Sequence, residues 1–395
     1  MISKKMQRLV QGSSVIRAMF EEGKRMAALY GADQVYDFSI GNPSVTPPAE
    51  VAQAIRDILD QEEPLAVHGY MNNSGYKEVR QAIADQLEQR EALGLSARHI
   101  TMTVGAAGGL NVLLKTLLNP GDEVVVLAPF FGEYANYIDN YDGVMVVAST
   151  DPDTFQPDLA QLEQALSPRT RAIILNTPNN PTGVIYSPET LRAMAELLER
   201  KEKEYSTSIY IISDEPYREI VYTGEPAPYL LSYFRNGFLC YSYSKSLSLP
   251  GERIGYLAAH PQMDGLDEIL AALNIATRIL GFVNAPSLFQ KVIARTLDAS
   301  VDQEIYRRNR DVLYEHLTGL GFSCVKPDGA FYLFPRCPIP DEAAFIQMAK
   351  ELHLLLVPGS SFHGPGHFRM SYCVSPEMIQ RSLPAFTELA RRCGL

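Results

Sequence analysis

Lys245 stands at the end of an apolar run in "YSYSKSLSLPGERIGY" (Tyr241 to Tyr256), behind Ser242 and Ser244 and ahead of Arg253. A lysine amine placed where burial disfavours its charged form becomes a nucleophile and a proton carrier. An arginine near hydroxyls offers a fork of donors that matches phosphate oxygens. Two other apolar runs end in complementary groups. "RAIILN" closes on Asn176 and leads into "TPNNPTG" with Asn180, and "SIYIIS" closes on Ser213 and leads into Asp214 and Tyr217. A glycine-rich turn, "VGAAGGL", opens a helical stretch. Helix N-terminal amides bind anions, but this turn has neither the Lys-Ser/Thr of a P-loop nor the spacing of GxGxxG.

For these groups to meet, something must align the run ends. The runs "ITMTV", "EVVVLA", "VMVVA", "RAIILN", "SIYIIS", "FLCYSYS" and "IGYLAA" alternate with helical patterns such as "LRAMAELLERKEKE". That alternation predicts an α/β fold, a mostly parallel seven-stranded sheet flanked by helices. Ligands in such sheets sit beyond the carboxyl ends of the strands. The expected boundaries are a large cofactor-binding domain over 48–285 and a smaller α+β domain built from 1–47 and 286–395. Residues 1–30 read as one amphipathic helix, with Val15, Met19, Met26 and Leu29 apolar and Ser13 or Ser14 as N-cap. Further helices are expected over 49–61, 76–93, 286–319 and 375–392, with strands at "FYLFPR" and "FRMSYC".

Composition bounds the partners. Of the 395 residues 46% are hydrophobic and 21% charged, and the formal net charge is −11. An acidic chain without a basic cluster is a poor match for nucleic acid. No run of 18 apolar residues suits a membrane span, and the N-terminal "MISKKMQRLVQG" has no apolar signal core. Five widely spaced cysteines suit reduced thiols in a cytoplasm, with Cys240 and Cys373 as small core residues. His363 and His367 lie in "HGPGH", whose Pro and Gly forbid a helix presenting both rings, so no metal site is expected.

The chemistry-bearing groups therefore comprise an amine, an acid, an arginine, two serines, a phosphate-type turn, and an asparagine with a tyrosine. That set matches the needs of pyridoxal 5'-phosphate. The cofactor takes an amine for an imine, an anion beside its pyridine nitrogen, donors for its phosphate and phenolic oxygen, and an apolar ring face.

The motifs "NTPNNPTG", "SDEPY" and "SYSK(x)7RIGY", in this order, resemble those of the class I/II aminotransferases, fold-type I pyridoxal-phosphate enzymes similar to aspartate aminotransferase. The similarity runs from "SIGNP" near residue 39 to "FRMSYC" near 373. The resemblance implies that Lys245 holds the cofactor covalently and later carries the proton, and that Asp214 faces the pyridine nitrogen. It implies that Asn180 and Tyr217 bond the phenolic oxygen, and that Phe131 of "APFFGEY" stacks on the ring. Ser242, Ser244, Arg253 and the amides of Ala106 and Ala107 would bind the phosphate. Arg369 would grip the substrate α-carboxylate, with Gly41 allowing close backbone approach, and Asn180 and Phe131 would also touch substrate. Tyr70 would reach the phosphate of a neighbouring subunit, which makes a homodimer with shared active sites the expected assembly. Two departures stand out. Ala106 and Ala107 occupy a turn where relatives often carry Ser or Thr, and Glu252 precedes Arg253 where many have an aromatic.

The implied reaction is amino transfer between an L-α-amino acid and a 2-oxo acid, with aspartate and 2-oxoglutarate as one pair. Arg278 in "IATRILGF" is a candidate second cation for a side-chain carboxylate. A β-lyase or decarboxylase on the same scaffold is the alternative, since a fold does not fix a reaction. A ligand-sensing transcription regulator is a third reading, disfavoured because the residues before the first helix leave no room for a DNA-binding domain.

Overall fold

The computed structural model describes residues 2–11 and 15–395. Runs rich in Val and Ile fold as strands where both faces can be covered, and "EVVVLA" is buried along nearly its whole length. In chain order the strands are β1 (Tyr36–Asp37), β2 (Ile100–Thr103), β3 (Glu123–Ala128), β4 (Val144–Ser149), β5 (Thr170–Asn176), β6 (Tyr210–Asp214), β7 (Gly237–Ser242), β8 (Gly255–Ala259), β9 (Tyr332–Leu333), β10 (Leu354–Leu355), β11 (Val357–Pro358) and β12 (Phe368–Ser371).

Seven of them form one sheet in the order β2-β8-β7-β6-β5-β3-β4. The pairs from β7 across to β4 are parallel, and β8 runs antiparallel to both β2 and β7. The fold is thus the mostly parallel α/β arrangement read from the sequence. The reversal at β8 has a local cause. A parallel return usually crosses over through a helix lying on a sheet face, whereas residues 243–254 hold only the short turns Tyr243–Ser246 and Pro250–Glu252 and return directly. Ser242 and Gly255 are register partners across that return. The whole link, with Ser244, Lys245 and Arg253, therefore stays over one end of the sheet.

A second core lies outside the sheet. It is rich in aromatic residues, with Phe38, Phe331, Phe345, Phe368 and Tyr372 fully buried. Two small sheets frame it, β1-β10 and β11-β12-β9. Phe38 N donates to Leu355 O and Ser371 N to Phe38 O, which ties the N-terminal strand to the C-terminal region. Tyr217, from the loop after β6, packs into this second core. The seam between the two cores runs beside the strand ends.

Several helices differ from expectation. The stretch over 286–319 is two helices, Ser287–Arg295 and Glu304–Gly319. Within the break, Val301 N donates to Ser246 O at 3.1 Å, and Asp302 accepts from Glu304 N. The chain leaves the helix to satisfy a carbonyl of the Lys245 turn. Of the first helix pattern, Lys4–Gln11 and Val15–Tyr30 are helical among the described residues. Met26 is buried, but Leu29 is 63% exposed rather than on a packed face. Ser13 and Ser14, the expected caps, lie outside the described residues. The helix expected over 76–93 ends at Glu88, because that carboxylate accepts from Leu93 N, Gly94 N and Leu95 N and folds the following turn back on itself. No described helix is long and apolar enough to cross a membrane.

Candidate active site

A cavity of about 330 Å³ opens past the carboxyl ends of β5, β6 and β7, and every residue singled out from the sequence for the site lines it except Tyr70 and the candidate second cation Arg278. Strand register explains part of the convergence. Asn176 pairs with Asp214, and Asp214 with Cys240, two residues before Ser242. Each strand thus delivers its polar terminus at the same height. The β12 strand and the segment after β1 bring Arg369 and Gly41 from the other side.

The lysine turn is a single helical turn, Tyr243–Ser246, capped by Ser242. Ser242 Oγ accepts from Ser244 N at 3.2 Å and shares a 2.7 Å hydrogen bond with Ser244 Oγ. Lys245 Nζ donates to Gly41 O at 2.6 Å. Burial, reinforced by the positive charges of Arg369 and Arg253, pushes the Lys245 amine down to about 8.

Asp214 responds to the same environment in the opposite sense. Burial pushes its carboxyl up to about 6, against the lowering effect of a hydrogen bond from Tyr134. Tyr134 Oη donates to Oδ2 at 2.5 Å, while the buried Oδ1 has no partner among the described residues. Asn176 holds the adjoining backbone, donating from Nδ2 to Asp214 O at 2.7 Å and accepting from Asn180 N.

Arg369 is buried, which lowers its pKa from the ordinary arginine value. Its Nη1 donates to Asn180 Oδ1 at 3.0 Å and its Nη2 to Ser39 O at 2.5 Å. The guanidinium lies between two rings, 4.7 Å from the Tyr332 centroid and 4.6 Å from that of Phe362. Gly41 is required by space, since a Cβ there would overlap the Tyr332 hydroxyl.

The remaining donors gather around one helix start. Helix Gly105–Leu117 begins with the amides of Gly105, Ala106 and Ala107. Gly105, at φ 67°, leaves room for Arg253, whose Nη2 would stand 2.9 Å from a Cβ. Arg253 is itself left-handed, at φ 53°, and its Nη1 donates to Pro250 O. Phe131 meets Tyr134 edge-on at 5.6 Å.

Tyr70 is 93% exposed and stands outside the cavity of its own chain. Arg278 is exposed on the last turn of helix Leu266–Ile279 and also does not line it. Glu252 is half-buried and does not reach it either.

Among the lining residues that went unread in the sequence, two are tied to site residues: Tyr134, bonded to Asp214, and Tyr332, bonded to Tyr217 at 2.8 Å. Tyr134 had a weak signal, lying three residues after Phe131 at the start of a helix. Tyr332 had none, because in "FYLFPR" it looks like one more core aromatic.

Residues 33–386 match the family described as aminotransferase class I and II. An aminotransferase crystal structure from Eubacterium rectale is 42% identical, covers all of both chains and superposes with a TM-score of 0.97. The aspartate/prephenate aminotransferase of Thermus thermophilus is 31% identical over 89% of this chain and 90% of its own length. The probable N-acetyl-LL-diaminopimelate aminotransferase of Bacillus subtilis is 30% identical over 89% of this chain and 88% of its own.

Proposed function

This chain belongs to the class I and II aminotransferases, and from that premise we propose that its cavity holds pyridoxal 5'-phosphate and moves an amino group between an L-α-amino acid and a 2-oxo acid. One observation carries the cofactor reading. A buried amine pushed down to about 8 and a buried carboxylate with one unpartnered oxygen face the same cavity. An orphaned buried acceptor is costly unless a donor arrives, and a protonated pyridine nitrogen is such a donor.

When bound, the cofactor supplies an aldehyde that condenses with amines and a ring that draws electrons from the substrate Cα. The chain supplies placement and charge. Near neutral pH a usable fraction of Lys245 is neutral, so Nζ can take a proton from the substrate Cα and return it. Asp214 Oδ1 holds negative charge, and Tyr134 keeps the other oxygen occupied. Ser242, Ser244, Arg253 and the amides of Ala106 and Ala107 are the phosphate donors. In this reading the helix amides and Arg253 suffice without a hydroxyl at 106 or 107. Asn180 and Tyr217 serve the phenolic oxygen, and Phe131 covers one ring face. Arg369, held flat between two aromatic faces, grips the α-carboxylate that every donor shares, beside Gly41.

The relatives' names support aspartate as the first donor to test, with 2-oxoglutarate as the acceptor offered to it. The exposed Tyr70 supports a homodimer in which the partner subunit's Tyr70 completes each site. The five free thiols support a cytoplasmic setting. The family match favours amino transfer over the β-lyase or decarboxylase alternative.

The test is Lys245→Ala. Transamination should fall by about 1000-fold or more, since the proton carrier is lost, and the absorbance of the lysine-bound cofactor should vanish. Normal turnover in the purified variant would overturn the reading. A half-reaction screen of amino acids, followed by that same absorbance, identifies the donor.

A further inference from the structure

Tyr332 touches both halves of the site. It sits on β9, register-paired with Ser371 of β12. Arg369 is two residues from Ser371 and so points from the same face, within diagonal reach of an aromatic ring. That register lays the Tyr332 ring 4.7 Å from the Arg369 guanidinium. At the ring's far end the hydroxyl meets Tyr217 Oη at 2.8 Å, the two rings being edge-on at 5.5 Å and 84°. Gly41 gives the hydroxyl its space. Among the described residues, each of these two hydroxyls has the other as its only hydrogen-bond partner.

One of them must donate, which leaves the other's O–H free. Arg369 lies over the Tyr332 ring, and a nearby cation makes a phenol the better donor. Burial pushes the Tyr332 phenol up to about 12 and that of Tyr217 well above the ordinary tyrosine value, so both hydroxyls stay protonated. Geometry and charge favour the same direction.

We propose that Tyr332 is a positioning residue that couples the two halves of the site: its ring fixes the plane of Arg369, and its hydroxyl donates to Tyr217, leaving the Tyr217 O–H for the phenolic oxygen of the cofactor. The inference rests on the cofactor reading above. It also divides Tyr332 into two separable parts. The ring serves substrate affinity, and the hydroxyl serves the electronics of the bound chromophore.

The experiment is a spectrophotometric pH titration of the holoenzyme, paired with steady-state kinetics. A donor to the phenolic oxygen favours its ionised form, so removing that donor raises the midpoint of proton loss. Tyr217→Phe should raise it. Tyr332→Phe should raise it in the same direction by about 0.5–1 pH unit, the size of one ordinary hydrogen bond. The double variant should match Tyr217→Phe alone, because Tyr332 acts only through Tyr217. Tyr332→Phe keeps the ring and should leave KM for amino donors within about twofold, while Tyr332→Leu should raise KM roughly tenfold or more. An unmoved midpoint in Tyr332→Phe, or shifts that add in the double variant, overturns the coupling. If wild-type protein mixed with pyridoxal phosphate never develops the chromophore, it is the cofactor reading that falls.

Discussion

At the scale of single residues, burial drives Lys245 and Asp214 towards neutrality from opposite sides, the amine down to about 8 and the acid up to about 6. For Asp214 this has a measurable consequence in the apoprotein. The folded form keeps its proton to about pH 6, whereas the unfolded chain loses it near the ordinary aspartate value of 3.8. Between those values the unfolded state binds fewer protons, so stability falls as pH rises from about 4 to about 6 and then stays flat. The full penalty is about 3 kcal/mol by the conversion from pH units. Asp214→Asn removes it while keeping an acceptor for Tyr134. We expect the Asp214→Asn apoprotein to be more stable than wild type by about 1–3 kcal/mol at pH 7, with the difference gone near pH 4. Pyridoxal phosphate should reverse the order, since only the charged residue pairs with a pyridinium. Denaturant titrations of both proteins at the two pH values decide the matter, and equal apoprotein stability at pH 7 contradicts the burial argument.

At the scale of elements, the helix that carries Ala106 and Ala107 must lie tightly on the sheet. A Cβ at Gly109 would stand 2.8 Å from Cys240 Sγ and 3.0 Å from Leu257 Cδ2. Helix propensity alone favours alanine there by about 1 kcal/mol, but overpacking a close contact costs about 1–3 kcal/mol. Gly109→Ala should therefore destabilise the fold and weaken cofactor binding, because lifting the helix withdraws its N-terminal amides from the site. Gly319, at the end of helix Glu304–Gly319, has nothing within 4 Å of such a Cβ. Gly319→Ala should be neutral or stabilising by up to about 1 kcal/mol. Thermal melts of the pair, with cofactor titrations, separate packing from propensity. Similar effects from both substitutions would show that the close approach has no energetic weight.

At the scale of the whole molecule, Tyr70 is the one residue of the proposed site that its own chain does not bring to the cavity. If it serves a second copy, Lys245→Ala and Tyr70→Ala should complement each other. Equal amounts refolded together give mixed dimers in about half of the population by two-fold symmetry. In each mixed dimer one site carries both defects and the other is intact. Activity should recover to roughly a quarter of wild type. No recovery, with both variants impaired alone, places Tyr70 outside the partner's site.

The sequence by itself determined the chemistry at the strand ends and the alternation that builds the sheet. Lys245, its two serines and Arg253 were legible because they lie within one short link. Asn180, Asp214 and Tyr217 were legible because each follows directly on an apolar run. Such residues sit where local chain direction alone puts them. Tertiary structure decided everything that depends on which strand lies beside which. The reversal of β8, the break at 296–303 that caps Ser246, the bond from Tyr134 to Asp214 and the reach of Tyr332 across β12 are contacts between distant segments. No periodicity encodes them. A buried tyrosine reads as core in any one-dimensional pattern, and only packing supplies the partner that gives its hydroxyl a task, a pairing that spares the hydroxyl a desolvation cost of about 1–3 kcal/mol.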